Sequence, residues 1–105
     1  MRDRIIQKFL SRFGKLKSKI IAVYLFGSRA RGEERPDSDY DLLLIVRGAF
    51  SLSDKGKLYD IVMDILLETG RLLSLKIFRE PEFQRLCRMG TPFTKNVLGE
   101  GIKVG

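Results

Sequence analysis

Two aspartates two residues apart, Asp39 and Asp41, are the first candidates for chemistry in this sequence. They open an apolar run, D-Y-D-L-L-L-I-V, that reads as a strand. Side chains alternate across a strand, so Asp39 and Asp41 share a face. Two neighbouring carboxylates repel unless a proton or a cation separates them, and a hard cation such as Mg2+ takes oxygen ligands. Upstream, the strand-like V-Y-L-F runs into Gly27 and Ser28. A glycine there lets backbone approach a ligand closely. A serine adds a hydroxyl, and amides at such a turn suit a phosphate. Together the two stretches read as a metal-nucleotide site.

The rest of the chain narrows what such a site can use. There is no histidine, and Cys87 is the only cysteine, so no disulfide can form within the chain and no cysteine cluster can hold zinc. Acid-base or metal chemistry falls to carboxylates. The length of 105 residues fits one small domain with a modest core, and 44% hydrophobic content is ordinary for a globular chain. No apolar run reaches the length of a membrane span. Residues 1–9 alternate charge with apolar side chains, unlike a signal peptide, so a cytoplasmic location with no membrane partner is expected.

The net charge is +7, unevenly spread. Residues 1–20 carry seven Lys/Arg against Asp3, and 71–105 carry seven against three acids, whereas 27–70 hold six against nine. Basic flanks around an acidic centre attract nucleic acids, nucleotides or an acidic partner. The simpler reading is that these charges solvate ordinary helix faces, because the cations are interspersed with apolar residues and no tract of five or more appears.

The elements that must position the acids follow from periodicity. Ile5, Ile6, Phe9, Leu10, Phe13 and Leu16 predict an amphipathic helix over 4–17, weakened at Gly14. Residues 20–26 and 42–46 read as buried strands. Ser53 or Asp54 is placed to cap a helix whose core stripe is Leu58, Ile61, Val62, Ile65 and Leu66, stopped by Gly70. A third strand is predicted over 71–78, with Leu73, Leu75 and Ile77 on one face and Leu72, Ser74, Lys76 and Phe78 on the other. Pro81 and Glu82 start a helix that runs to Met89. Pro92 starts another to Leu98, and 102–104 form a terminal extended piece. Strands alternating with helices predict a single α/β or α+β domain around a small mixed sheet.

Gly27-Ser28, ten intervening residues, then Asp39-Tyr40-Asp41 resembles the signature of the DNA polymerase beta-like nucleotidyltransferases. The full stretch G-S-R-A-R-G-E-E-R-P-D-S-D-Y-D-L and the ending P-F-T-K-N-V-L-G-E-G-I-K-V are similar to their minimal nucleotidyltransferase branch. The resemblance implies that Asp39 and Asp41 bind Mg2+ and that Gly27, Ser28, Arg29 and Arg31 hold the triphosphate of ATP. For Arg31 and Arg35, ion pairs with Glu33 or Glu34 are the alternative. Asp37 and Ser38 read as the turn into the second strand.

The resemblance also implies a partner: such proteins pair, as antitoxins, with a HEPN-domain toxin encoded nearby, to which they add AMP. One departure bears on catalysis. The family places a third carboxylate on the next core strand, and residues 71–78 contain no Asp or Glu; Leu72 or Ser74 takes that place. Three readings follow. The chain is a nucleotidyltransferase, a catalytically weak or inactive binding module on the same fold, or a nucleic-acid-directed transferase or binder.

Overall fold

The computed structural model describes residues 3–27 and 40–105. A four-stranded mixed sheet forms the centre, with strand order β3-β2-β1-β4. Strand β1 (Ile20–Phe26) pairs antiparallel with β2 (Tyr40–Val46), and β2 pairs parallel with β3 (Leu73–Arg79). The short β4 (Ile102–Lys103) closes the other edge by pairing antiparallel with β1. The parallel β2–β3 pair requires a crossover, which α2 (Leu52–Thr69) supplies.

The helices divide between the two faces. On one lie α1 (Arg4–Ser11) and α2, whose Ile6, Phe9, Leu58, Val62 and Ile65 pack on Val23, Leu25, Leu42, Leu44 and Leu73. On the other, α3 (Glu80–Met89) and α4 (Pro92–Glu100) bring Phe83 and Val97 against Leu43 and Ile45. Alternation along β2 separates the cores: Leu42 and Leu44 belong to the first cluster, Leu43 and Ile45 to the second. All four are buried, as a central strand covered on both sides demands.

Several expected boundaries move, each for a local reason. The first helix stops at Ser11 rather than continuing to residue 17. Gly14 takes a left-handed φ of +56°, and a 3₁₀ segment, Gly14–Lys19, carries the chain on. Phe13 and Leu16 nevertheless stay buried, so the apolar pattern survives the break in the helix. The cap of α2 is Ser51, not Ser53 or Asp54. Its hydroxyl accepts from the Asp54 amide at 3.1 Å, while Asp54 Oδ2 accepts from the Ser51 amide at 2.8 Å, a reciprocal capping box. Gly70 ends α2 in the left-handed conformation, and β3 then begins at Leu73, opposite Tyr40.

Candidate active site

The last residue of β1 and the first two of β2 form one margin of the sheet. Phe26 stands opposite Asp41 across the antiparallel pair, and Ser74 stands opposite Asp41 across the parallel pair. Strand alternation puts Asp41 on the α3/α4 face with Leu43 and Ile45, and Ser74 on that face with Lys76 and Phe78. Asp41 and Ser74 are therefore direct neighbours.

Gly27 follows with a φ of +76°. A Cβ added there would stand 2.5 Å from Asp41 Oδ2 and 3.3 Å from Asp41 Cγ. Only glycine both adopts this turn cheaply and leaves the space that the carboxylate occupies. The end of β1 is steadied from below, where Phe26 meets Phe93 edge-on at 5.7 Å and Phe93 meets Phe78 at 6.0 Å. An oxygen donor thus sits directly against a left-handed backbone turn.

Of the residues expected to form the site, Gly27 and Asp41 are brought together. Ser28, Arg29, Arg31 and Asp39 lie outside the described residues, as do Glu33, Glu34, Arg35, Asp37 and Ser38. Among the described residues no group of three or more His, Cys, Asp or Glu converges on a metal position. The donor chemistry at Asp41 fits a hard cation, and the space that Gly27 leaves is taken by the carboxylate itself. On β3, the place in register with Asp41 belongs to Ser74; Lys76 lies on the same face and is exposed.

One contact at this margin escapes sequence reasoning. Tyr40, between the two aspartates, turns into the α1/α2 core and is 4% exposed. Its hydroxyl donates to Asp3 Oδ2 at 2.7 Å.

The opposite end of the sheet is basic. An open groove of about 990 Å³ is lined there by Arg12, Lys15, Lys17, Lys19 and Lys57, with Asp54 and Asp60. Lys19 pairs with Asp54 at 2.9 Å, and Arg12 with Glu68 at 2.6 Å. Hydrogen bonds from the Ser51 amide and Lys19 hold the Asp54 carboxyl down to about 2. Those from Arg12 and Lys8 hold Glu68 down to about 2, and Glu68 in turn raises Arg12. Through Lys8 and Arg12, Glu68 ties α2 to α1.

Comparison with known proteins places the fold in a family. The pattern of the family "Polymerase beta, Nucleotidyltransferase" matches residues 6–104. The chain belongs to that family, and its fold is the nucleotidyltransferase fold. It is 33% identical over 89 residues to the "Putative protein adenylyltransferase MJ0141" of Methanocaldococcus jannaschii, covering 85% of this chain and 83% of the relative. A solved "putative minimal nucleotidyltransferase" is 28% identical with a TM-score of 0.50, over 92% of this chain and 93% of that one. A crystal structure of a "toxin-antitoxin with AMP-PNP" shares the fold at 15% identity and a TM-score of 0.56, covering 92% of this chain and 69% of that one. No helix among the described residues is long and apolar enough to cross a membrane.

Proposed function

We propose that this protein is a Mg2+-dependent nucleotidyltransferase that moves a nucleoside monophosphate, AMP from ATP, onto a protein acceptor. The observation that carries the reading is the Asp41 carboxylate lodged against the left-handed turn at Gly27, at the shared margin of β1 and β2. The name of the M. jannaschii relative supports protein as acceptor and adenylyl as the group moved. The structural neighbour with AMP-PNP, an ATP analogue, supports a toxin as the partner, which we take to be a HEPN-domain protein encoded nearby.

In this reading Gly27, Ser28, Arg29 and Arg31 hold the triphosphate through amides, hydroxyl and guanidinium forks. Asp39 and Asp41 are the carboxylates that would hold Mg2+, which when bound neutralises charge on the phosphates. An acceptor hydroxyl oxygen attacks the α-phosphorus. The bond from that phosphorus to the bridging oxygen breaks, pyrophosphate leaves, and the hydroxyl proton passes to solvent. Ser74 is no base, so the acceptor must be reactive enough to attack without one; base catalysis is worth on the order of 100- to 10,000-fold.

Ser74 also motivates a second reading, in which the fold masks its partner by contact and transfers nothing. One experiment separates the two. Label from α-phosphate-labelled ATP, with Mg2+, is followed onto the product of the adjacent gene, using this protein and its Asp39→Asn/Asp41→Asn variant. Label that depends on both acids is the expected result. Inhibition of the partner that survives in the variant, with no label in either case, favours masking. Steeply salt-dependent RNA or DNA binding would instead point to a nucleic-acid role for the basic flanks.

A further inference from the structure

The geometry points to Tyr40 as a positioning residue for the acidic site, tethered through Asp3 to the start of α1. The inference rests on the metal-nucleotide reading of Asp41 given above.

Asp3 divides its two oxygens between two tasks. Oδ1 accepts from the amides of Ile5 and Ile6, at 2.8 and 3.2 Å, which caps α1. Oδ2 accepts the Tyr40 hydroxyl at 2.7 Å. That length is typical of an O–H bond to a carboxylate, among the stronger hydrogen bonds a protein makes. The Tyr40 amide is fixed as well, donating to the Leu72 carbonyl at 3.0 Å, so Tyr40 is held at both its backbone and its tip.

This anchoring matters because of where Tyr40 stands. It is the first residue of β2, and Asp41 is the second. Consecutive strand residues point to opposite faces, so a roll of the strand that shifts the Tyr40 ring on one side swings Asp41 on the other. Asp41 has little freedom to absorb such a swing, since its Oδ2 already fills the space where a Cβ on Gly27 would lie. A phenylalanine would fill the same buried space with no hydroxyl to satisfy, and packing alone gives no reason for the oxygen. The hydroxyl instead ties β2 to the cap of α1, while the amide of the same residue ties it to Leu72 just before β3, at the point of the sheet where the carboxylate must be aimed.

The test uses the full chain with Mn2+ and ATP as probes. Manganese binding is read by electron paramagnetic resonance, and the melting temperature is taken without metal. Tyr40→Phe keeps the ring and removes the tether; we expect Mn2+-ATP binding to weaken about 10-fold, as when the group that orients a metal ligand is lost. Asp3→Asn keeps a good helix cap and removes the charged acceptor, and the same direction of effect is expected. The double variant should bind no more weakly than the weaker single variant, because one bond is broken in all three.

If Tyr40→Phe and Asp3→Asn bind Mn2+-ATP as the parent does, while melting lower, the contact is packing and the tether is overturned. If the parent binds no Mn2+-ATP, the metal-nucleotide reading fails first, and the tether with it, because there is nothing to position.

Discussion

The two faces of the sheet are built to different ends. Beneath α1 and α2 the packing is closed: Phe9, Leu42, Leu44, Leu58 and Ile65 are fully buried, and the cluster extends from the first helix to β3. Beneath α3 and α4 the buried set is small, Leu43, Ile45, Phe83 and Val97, fringed by half-buried aromatics. The polar row of Asp41 and Ser74 lies at the margin of this second face. One face holds the fold together while the other carries a half-buried carboxylate beside a glycine turn.

Truncating one leucine on each side measures that division most strongly. Leu44→Ala should cost about 3–5 kcal/mol and Leu43→Ala about 2–3 kcal/mol by urea unfolding, because a site walled by more neighbours collapses less around the cavity. Equal losses would mean that both faces carry stability alike. The reverse asymmetry is expected for activity: Asp41→Asn should lower AMP transfer by about 100-fold or more while leaving the melting temperature nearly unchanged, as losing a charge-stabilising group at a reacting centre does.

Gly27→Ala falls between these, since it touches both backbone and site. A non-glycine residue in the left-handed region costs about 1–3 kcal/mol, and the new methyl also displaces Asp41 Oδ2. We expect a lower melting temperature together with weaker Mn2+ binding; loss of stability alone would mean that Asp41 relaxes without consequence.

How far the sequence revealed this division depends on the range of the interaction. β1 is read to the residue, because a pure apolar run is bounded by Lys19 and Gly27. The separation of Leu73, Leu75 and Ile77 from Ser74, Lys76 and Phe78 is legible too, since period two is local. Gly70 and Gly90 stop their helices as their positive φ values require. Periodicity starts α2 too late and hides its cap, because Leu52, in its first turn, is 83% exposed and falls outside the apolar stripe. The strand order, and with it the register of Ser74 against Asp41, depends on pairings that no local pattern encodes. The Asp3–Tyr40 bond links residues far apart in sequence, and Asp3 on its own looks like a stray acid in a basic stretch. Gly27 and Asp41 stand out as candidate site residues because glycine and carboxylate declare their chemistry by type.

A smaller effect tests whether the thin face tolerates added charge. Ser74→Asp sets a second carboxylate in register with Asp41, and like charges side by side should cost about 0.2–1 kcal/mol without metal. Adding Mn2+ should remove that cost and raise the melting temperature above that of the parent measured at the same Mn2+ concentration. A variant insensitive to Mn2+ would show that Asp41 and residue 74 do not aim at a common point.

The smallest effect is the pH dependence, and it should come from the closed face alone. Glu68 and Asp54 both lie on α2, and both are held down to about 2, from ordinary values of 4.5 and 3.8. A carboxyl whose pKa is lower folded than unfolded binds fewer protons when folded. Its contribution to stability is complete above the unfolded value and is lost as pH falls toward the folded one. The window therefore opens near pH 4.5 and closes near pH 2, and the protein should melt at progressively lower temperature across it. Glu68→Gln removes the link to Arg12 and Lys8, and Asp54→Asn removes the pair with Lys19. Each should lower the melting temperature slightly at neutral pH and flatten its fall in acid, with the Glu68 effect shrinking in salt because that carboxylate is exposed. If the acid slope survives both substitutions and vanishes in Asp41→Asn, the titrating group belongs to the thin face, and the division of labour between the two faces is wrong.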